Sequence, residues 1–239
     1  MRTDKPADHL AAAISAVDWN EHVRNFLTST SVVERIAAAN LRLALWAKEL
    51  VSADRGNPAI SFVHEMQQAG FYVALAAGLA LYKPAAAAIR TVGETALYYT
   101  YFRTHLVELT TLSREAKFFV AKSDILQFHK IHTVSYQKSA ALLGQPGNFE
   151  AWYSKMSAIV HGQLPGTWGQ LAALDQITPD DVLLEKLTDA FEAGVKNVHE
   201  IFLLTVGNEL WPRFTTPVKK LLLVGMPGGT RIALGLDKA

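Results

Sequence analysis

Two short stripes of polar residues at helical spacing constrain this chain more than any other feature. The first is Arg90, Glu94, Tyr98, Tyr101 and His105 within "AAAAIRTVGETALYYTYFRTHLVEL"; the second is Tyr153, Ser157 and His161 within "FEAWYSKMSAIVHGQ". Steps of three and four residues place each set on one face of a helix. The residues between them are Ala, Val, Ile, Leu and Met, so both faces are expected to be at least partly buried. A buried Arg, Glu or His is tolerated only when paired or hydrogen-bonded, because its desolvation otherwise costs several kcal/mol. Each stripe therefore needs a partner, and the other stripe is the natural one. The two helices are expected to pack face to face, forming either a structural polar network or an active site.

The rest of the chain reads as helix throughout. Half of the 239 residues are hydrophobic and 19% are charged, enough apolar content for a sizeable core and too much for disorder. Helices are expected over Asp8–Leu27 (one or two pieces), Val32–Val51 with Ser31 and Glu34 as a capping box, Ile60–Tyr82, and Pro84–Leu112. Further helices are expected over Lys117–Leu143, over Phe149–His161 with Gly162 after its end, and from Thr178-Pro179 to about Leu210. The expected fold is an all-α helical bundle forming a single domain over residues 1–239. Its core spans 60–211, the helices of 8–51 pack on it, and 212–239 form a tail. In that tail, "KLLLV" and "TRIALGL" around "GMPGG" fit either a helix with an irregular end or a small hairpin.

Composition excludes several functions. With 23 Lys+Arg against 22 Asp+Glu the net charge is +1, so bulk charge does not hold this chain on nucleic acid, although a local basic cleft stays open. The absence of cysteine removes disulfides, thiolate catalysis and cysteine zinc sites, and fits a cytoplasmic protein. No signal-peptide pattern is present at the N-terminus. The most apolar run, Gly70 to Ile89, meets Lys83-Pro84 too early to cross a bilayer, so no membrane association is expected. His129 and His132 have no carboxylate at matching spacing. "HEMQQ" and "HEIFL" lack the second His of a zinc-protease motif. Neither a metal nor a cofactor is expected.

His161 closes a helix and opens a Gly-rich loop, where its imidazole fits general acid–base work or, equally, a capping role. Arg90 held by Glu94 fits either a fork for phosphate or carboxylate, or a clamp between helices. Tyr98 and Tyr101, with their aromatic neighbours, read as core more readily than as a stacking platform.

The patterns "AAAIRTVGETALYYTYF" and "YSKMSAIVHG" resemble a broad group of bacterial all-helical proteins with an R-x-x-x-E helix followed by a Y-x-x-x-S-x-x-x-H-G helix. Arg90, Glu94, Tyr153, Ser157 and His161 carry the match, which covers roughly Met66 to Gln163. That group is in turn similar to the HEPN superfamily, helical proteins of toxin, abortive-infection and CRISPR systems, many of them metal-independent ribonucleases acting at a dimer interface. The resemblance implies RNA as substrate and a homodimer or partner protein. His161 would be the general acid or base, Arg90 the stabiliser of phosphorane charge, and Glu94 the group orienting Arg90. Tyr153, Ser157, Lys155, Tyr98 and Tyr101 would contact substrate. The chain departs from the HEPN R-x(4–6)-H motif: six residues before His161 stands Lys155, a point charge without the planar fork. The alternative is a non-catalytic scaffold or ligand-sensing protein in which the same residues form a structural network.

Overall fold

In the computed structural model, which describes residues 5–145, 147–169 and 171–236, every regular element is a helix and none of the described residues forms a strand. Two short helices, α1 (Pro6–Ser15) and α2 (Trp19–Thr28), lead into α3 (Thr30–Ala53). There follow α4 (Ile60–Gly78), α5 (Tyr82–Phe102) and α6 (Leu106–Arg114), then α7 (Lys122–His132), α8 (Tyr136–Leu143) and α9 (Gly147–Val160). The chain closes with α10 (Asp181–Thr205), α11 (Gly207–Leu210), α12 (Thr216–Leu222) and α13 (Gly228–Ala233).

The core is a four-helix body of α3, α4, α5 and α10. The buried face of α3 runs Val32, Ile36, Leu43, Trp46 and Leu50 at helical spacing, and that of α10 runs Leu187, Phe191, Val195, Val198 and Phe202. Helix α5 is buried on most of its sides, with the Arg90–Glu94 face half-buried, which suits its central place between α4, α10, α9 and α7. The short connections at 54–59 and 79–81 make α3 and α5 antiparallel to α4. Helix α10 runs parallel to α3 and α5. Arg35 near the start of α3 bonds Glu185 and Glu192 (2.7 and 2.6 Å), whereas Trp46 further along meets His199 and Phe202. Likewise Tyr82 at the start of α5 bonds the backbone of Asp180, and Tyr99 near its end packs on Phe202.

Several element boundaries differ from the sequence expectation, each for a local reason. The segment read as one helix over 117–143 is two, α7 and α8, broken at 133–135 where Ser135 takes a left-handed φ of 60°. The helix expected over 84–112 stops at Phe102, and α6 is separate. Ser31 lies inside α3 and caps nothing. Asp180, rather than Thr178, caps α10, accepting from the Leu183 N–H at 2.9 Å. Helix α10 ends at Thr205, short of the expected Leu210. The hairpin alternative for the tail does not form: α12 and α13 flank Gly225, whose φ is +84°.

Candidate functional site

Helix α9 packs antiparallel on α5. Three contacts set the register: Trp152 at Gly93, Tyr153 at Arg90, and Gly162 near Lys83. Trp152 anchors the pair. A Cβ on Gly93 would lie 2.6 Å from its ring, and one on Gly194 of α10 would lie 2.5 Å from it, so both positions leave room for the indole and nothing more. The indole N–H donates to the Ala190 carbonyl at 2.9 Å. With Trp152 seated between α5 and α10, the next residue, Tyr153, is turned toward Arg90 and Glu94.

One carboxylate oxygen of Glu94, Oε1, is the hub of the site. It accepts from Arg90 Nη2 at 2.9 Å, from the Tyr153 hydroxyl, and from Lys122 Nζ at 3.0 Å. Arg90 also donates through Nε and Nη2 to the Tyr153 oxygen at 2.9 and 2.8 Å. The Tyr153 ring stacks on Phe149 and lies beneath both cations, 4.7 Å from Lys122 Nζ and 5.3 Å from Arg90 Cζ. The Arg90, Glu94 and Lys122 side chains are 21%, 21% and 25% exposed, so this is a half-buried network. Burial works against the charge on Arg90 and on Lys122. Hydrogen bonds to Tyr153 and the Glu94 charge outweigh it, holding both pKa values above their ordinary range. Both cations therefore keep their protons at neutral pH.

Not every expected residue joins. Ser157 is one turn beyond Tyr153, and its buried hydroxyl oxygen has no hydrogen-bond partner among the described residues. His161 is exposed at the end of α9, about 12 Å along the helix axis from Tyr153. No hydrogen bond links its ring to the network among the described residues. Lys155 is exposed and lines a different cavity, on the α10 side of α9. Tyr98 is half-buried against Phe62 and Phe102. Tyr101 stacks on His105, their centroids 3.9 Å apart; His105 lies beyond the end of α5 and so leaves the first stripe. The expected union of Arg90, Glu94 and His161 in one cleft is thus not formed, whereas Arg90, Glu94 and Tyr153 do meet.

Lys122, which completes the network, was not expected from the sequence. It is the first residue of α7, twenty-eight positions from Glu94, and no spacing rule connects the two. Beside the network lies a cavity of about 550 Å³ lined by Tyr98, Lys122, Leu126, Phe149 and Tyr153. No group of three or more His, Asp or Glu among the described residues is arranged to hold a metal ion, and no described helix is long and apolar enough to cross a membrane. No protein-family model matches the chain, and neither a curated protein nor a solved structure matches it.

Proposed function

We propose that this is a non-catalytic helical protein of the scaffold or ligand-sensing class, in which the Arg90–Glu94–Tyr153–Lys122 network ties three helices together. The observation that carries this reading is the saturation of a single oxygen, Glu94 Oε1, by donors from α5, α7 and α9. Arg90 spends its fork on Tyr153 and Glu94, so its stabilising charge is engaged within the protein. The network joins the walls of the 550 Å³ cavity, so whatever occupies that cavity is coupled to the packing of α7 and α9.

The test pairs two variants. Glu94→Gln removes the anion facing two half-buried cations and is expected to lower the unfolding free energy by about 1–3 kcal/mol in urea denaturation. His161→Ala touches no member of the network and is expected to change it by less than about 0.5 kcal/mol. Purified wild-type protein is expected to leave single-stranded RNA intact. RNA cleavage by the wild type that His161→Ala abolishes overturns the reading.

That outcome would favour a second reading, a HEPN-like metal-independent ribonuclease of a defence or toxin system, working as a homodimer or with a partner protein. One observation supports it: His161 is exposed at a helix end, next to Gly162, and the Lys83 ammonium lies 3.8 Å from where a Cβ on Gly162 would stand. An exposed imidazole and a nearby cation are a workable acid–base pair for a phosphodiester.

A further inference from the structure

A second cavity, of about 430 Å³, lies between α3, α8, α10 and the 224–230 segment. Its polar wall is Arg42 of α3 and Lys196, His199 and Glu200 of α10; its apolar wall includes Leu142, Met226 and Pro227. None of these residues belongs to the network on α5 and α9.

Arg42 is the unusual member. Arg35, Arg90 and Arg103, whose side chains are also partly or wholly buried, each meet at least one carboxylate. Arg42 is half-buried, meets no carboxylate among the described residues, and has as its described hydrogen-bond partner the Val224 carbonyl at 3.4 Å. Burial pulls its pKa below the ordinary arginine value, as expected for a cation held without a counter-ion.

His199 is only 5% exposed. Its Nδ1 accepts the Trp46 indole N–H at 3.0 Å, which fixes the proton of the neutral ring on Nε2. Burial and the Arg42 charge push its pKa down to about 3, so the ring stays neutral and Nε2–H stays a donor at any physiological pH. No described residue accepts from that N–H. Glu200 is already engaged: Oε2 takes the Gln145 amide at 2.7 Å, and Oε1 faces Lys196 at 3.9 Å. With Glu200 and Lys196 offsetting each other, the cavity keeps one net positive charge, that of Arg42, beside a fixed N–H donor and an apolar wall.

We infer that this cavity binds a small organic acid, with its anionic head between Arg42 and His199 and a short apolar body against Leu142, Met226 and Pro227. The volume falls in the range of small-molecule sites. A carboxylate there supplies both things the wall lacks, a counter-ion for the guanidinium and an acceptor for Nε2–H. The inference gives the ligand-sensing reading a ligand, but its test is independent: the RNA and Glu94→Gln experiments can fail while binding succeeds, and the reverse.

The test is calorimetric titration of the full chain with straight-chain carboxylates from acetate to octanoate, with inorganic phosphate and with the matching alkylamines. Affinity is expected to rise about fourfold per added methylene until the cavity is full. The amines are expected not to bind. Arg42→Met keeps the aliphatic stem and is expected to weaken hexanoate at least tenfold. Because Arg42 has no carboxylate partner among the described residues, the ligand-free melting temperature of that variant is expected to hold or rise. Leu142→Asp at the exposed rim adds a repelling charge without touching the core and is expected to weaken binding as well. The inference is overturned by absence of saturable carboxylate binding at millimolar concentration, or by binding that Arg42→Met leaves intact. It is equally overturned by amines binding as well as acids, or by phosphate binding with no chain-length gain among the carboxylates.

Discussion

His129 and His199 are each held neutral by burial, and at His199 the Trp46 indole N–H also occupies the nitrogen that a second proton would need. The Thr100 hydroxyl donates to the Leu97 carbonyl at 2.7 Å, so at 2.9 Å it accepts from His129 Nε2–H, which leaves Nδ1 to accept from Thr133. Burial, helped by the neighbouring His105, pushes the His129 pKa down to about 4, and that of His199 lies near 3. Below the ordinary histidine value of about 6.5 the unfolded chain takes up protons that the folded chain refuses, so stability falls with pH. The stability these two rings supply is expected to be complete above pH 6.5. It should be lost progressively toward pH 4 for His129, on the order of 3 kcal/mol, and toward pH 3 for His199. Urea midpoints measured from pH 7 to 4 check this, and His129→Gln should flatten the upper part of the curve. At this scale the sequence was legible where helical spacing carried the information. Arg90 and Glu94 stand one turn apart, and Tyr153 sits on a face that had to be covered. Lys122 and the His199–Trp46 pair were not legible, because both join residues far apart in the chain whose meeting depends on the packing of whole helices.

Trp152 shows how one side chain fixes a helix. Its indole fills the gap between Gly93 and Gly194, and moving it would free α9 to slide along α5. Either Gly93→Ala or Gly194→Ala puts a methyl within 2.6 Å of the ring in a closely packed site, where overpacking costs about 1–3 kcal/mol. Amide exchange in 147–160 is expected to speed up more than in α3 or α4, because α9 lies outside the four-helix body. The same slot explains why α9 could be foreseen as a helix but its seat could not: a glycine inside a helix carries no sign of the ring it makes room for. The missed breaks have a similar origin. The turn between α7 and α8, with Ser135 left-handed at the start of α8, contains no proline or glycine, the residues by which a break is usually recognised.

Across the molecule, the parallel run of α3, α5 and α10 gathers three helix C-termini at one end of the bundle. Each brings the negative end of its dipole. Arg103 sits there, its side chain 7% exposed, bonding Asp54 just after α3 and Glu209 just after α10. Burial opposes its charge, and Glu209 and Asp54 outweigh that opposition. Arg103→Met is expected to cost about 3–5 kcal/mol in thermal or urea unfolding, because it strands Asp54 beneath Tyr99. The all-helical class was legible from periodicity and from the lack of alternating strands. The parallel arrangement was not, since short loops announce only antiparallel neighbours, and α10 reaches its place by way of the long 103–180 excursion. That excursion has a kinetic consequence. At a synthesis rate of about 5–20 residues per second, roughly 5–20 s separate the completion of α5 from that of α10. Throughout that interval the nascent chain lacks the Phe202 ring that packs on both Trp46 and Tyr99. Slowing translation between codons 103 and 180 is therefore expected to raise the fraction that aggregates, measured as insoluble protein at equal expression.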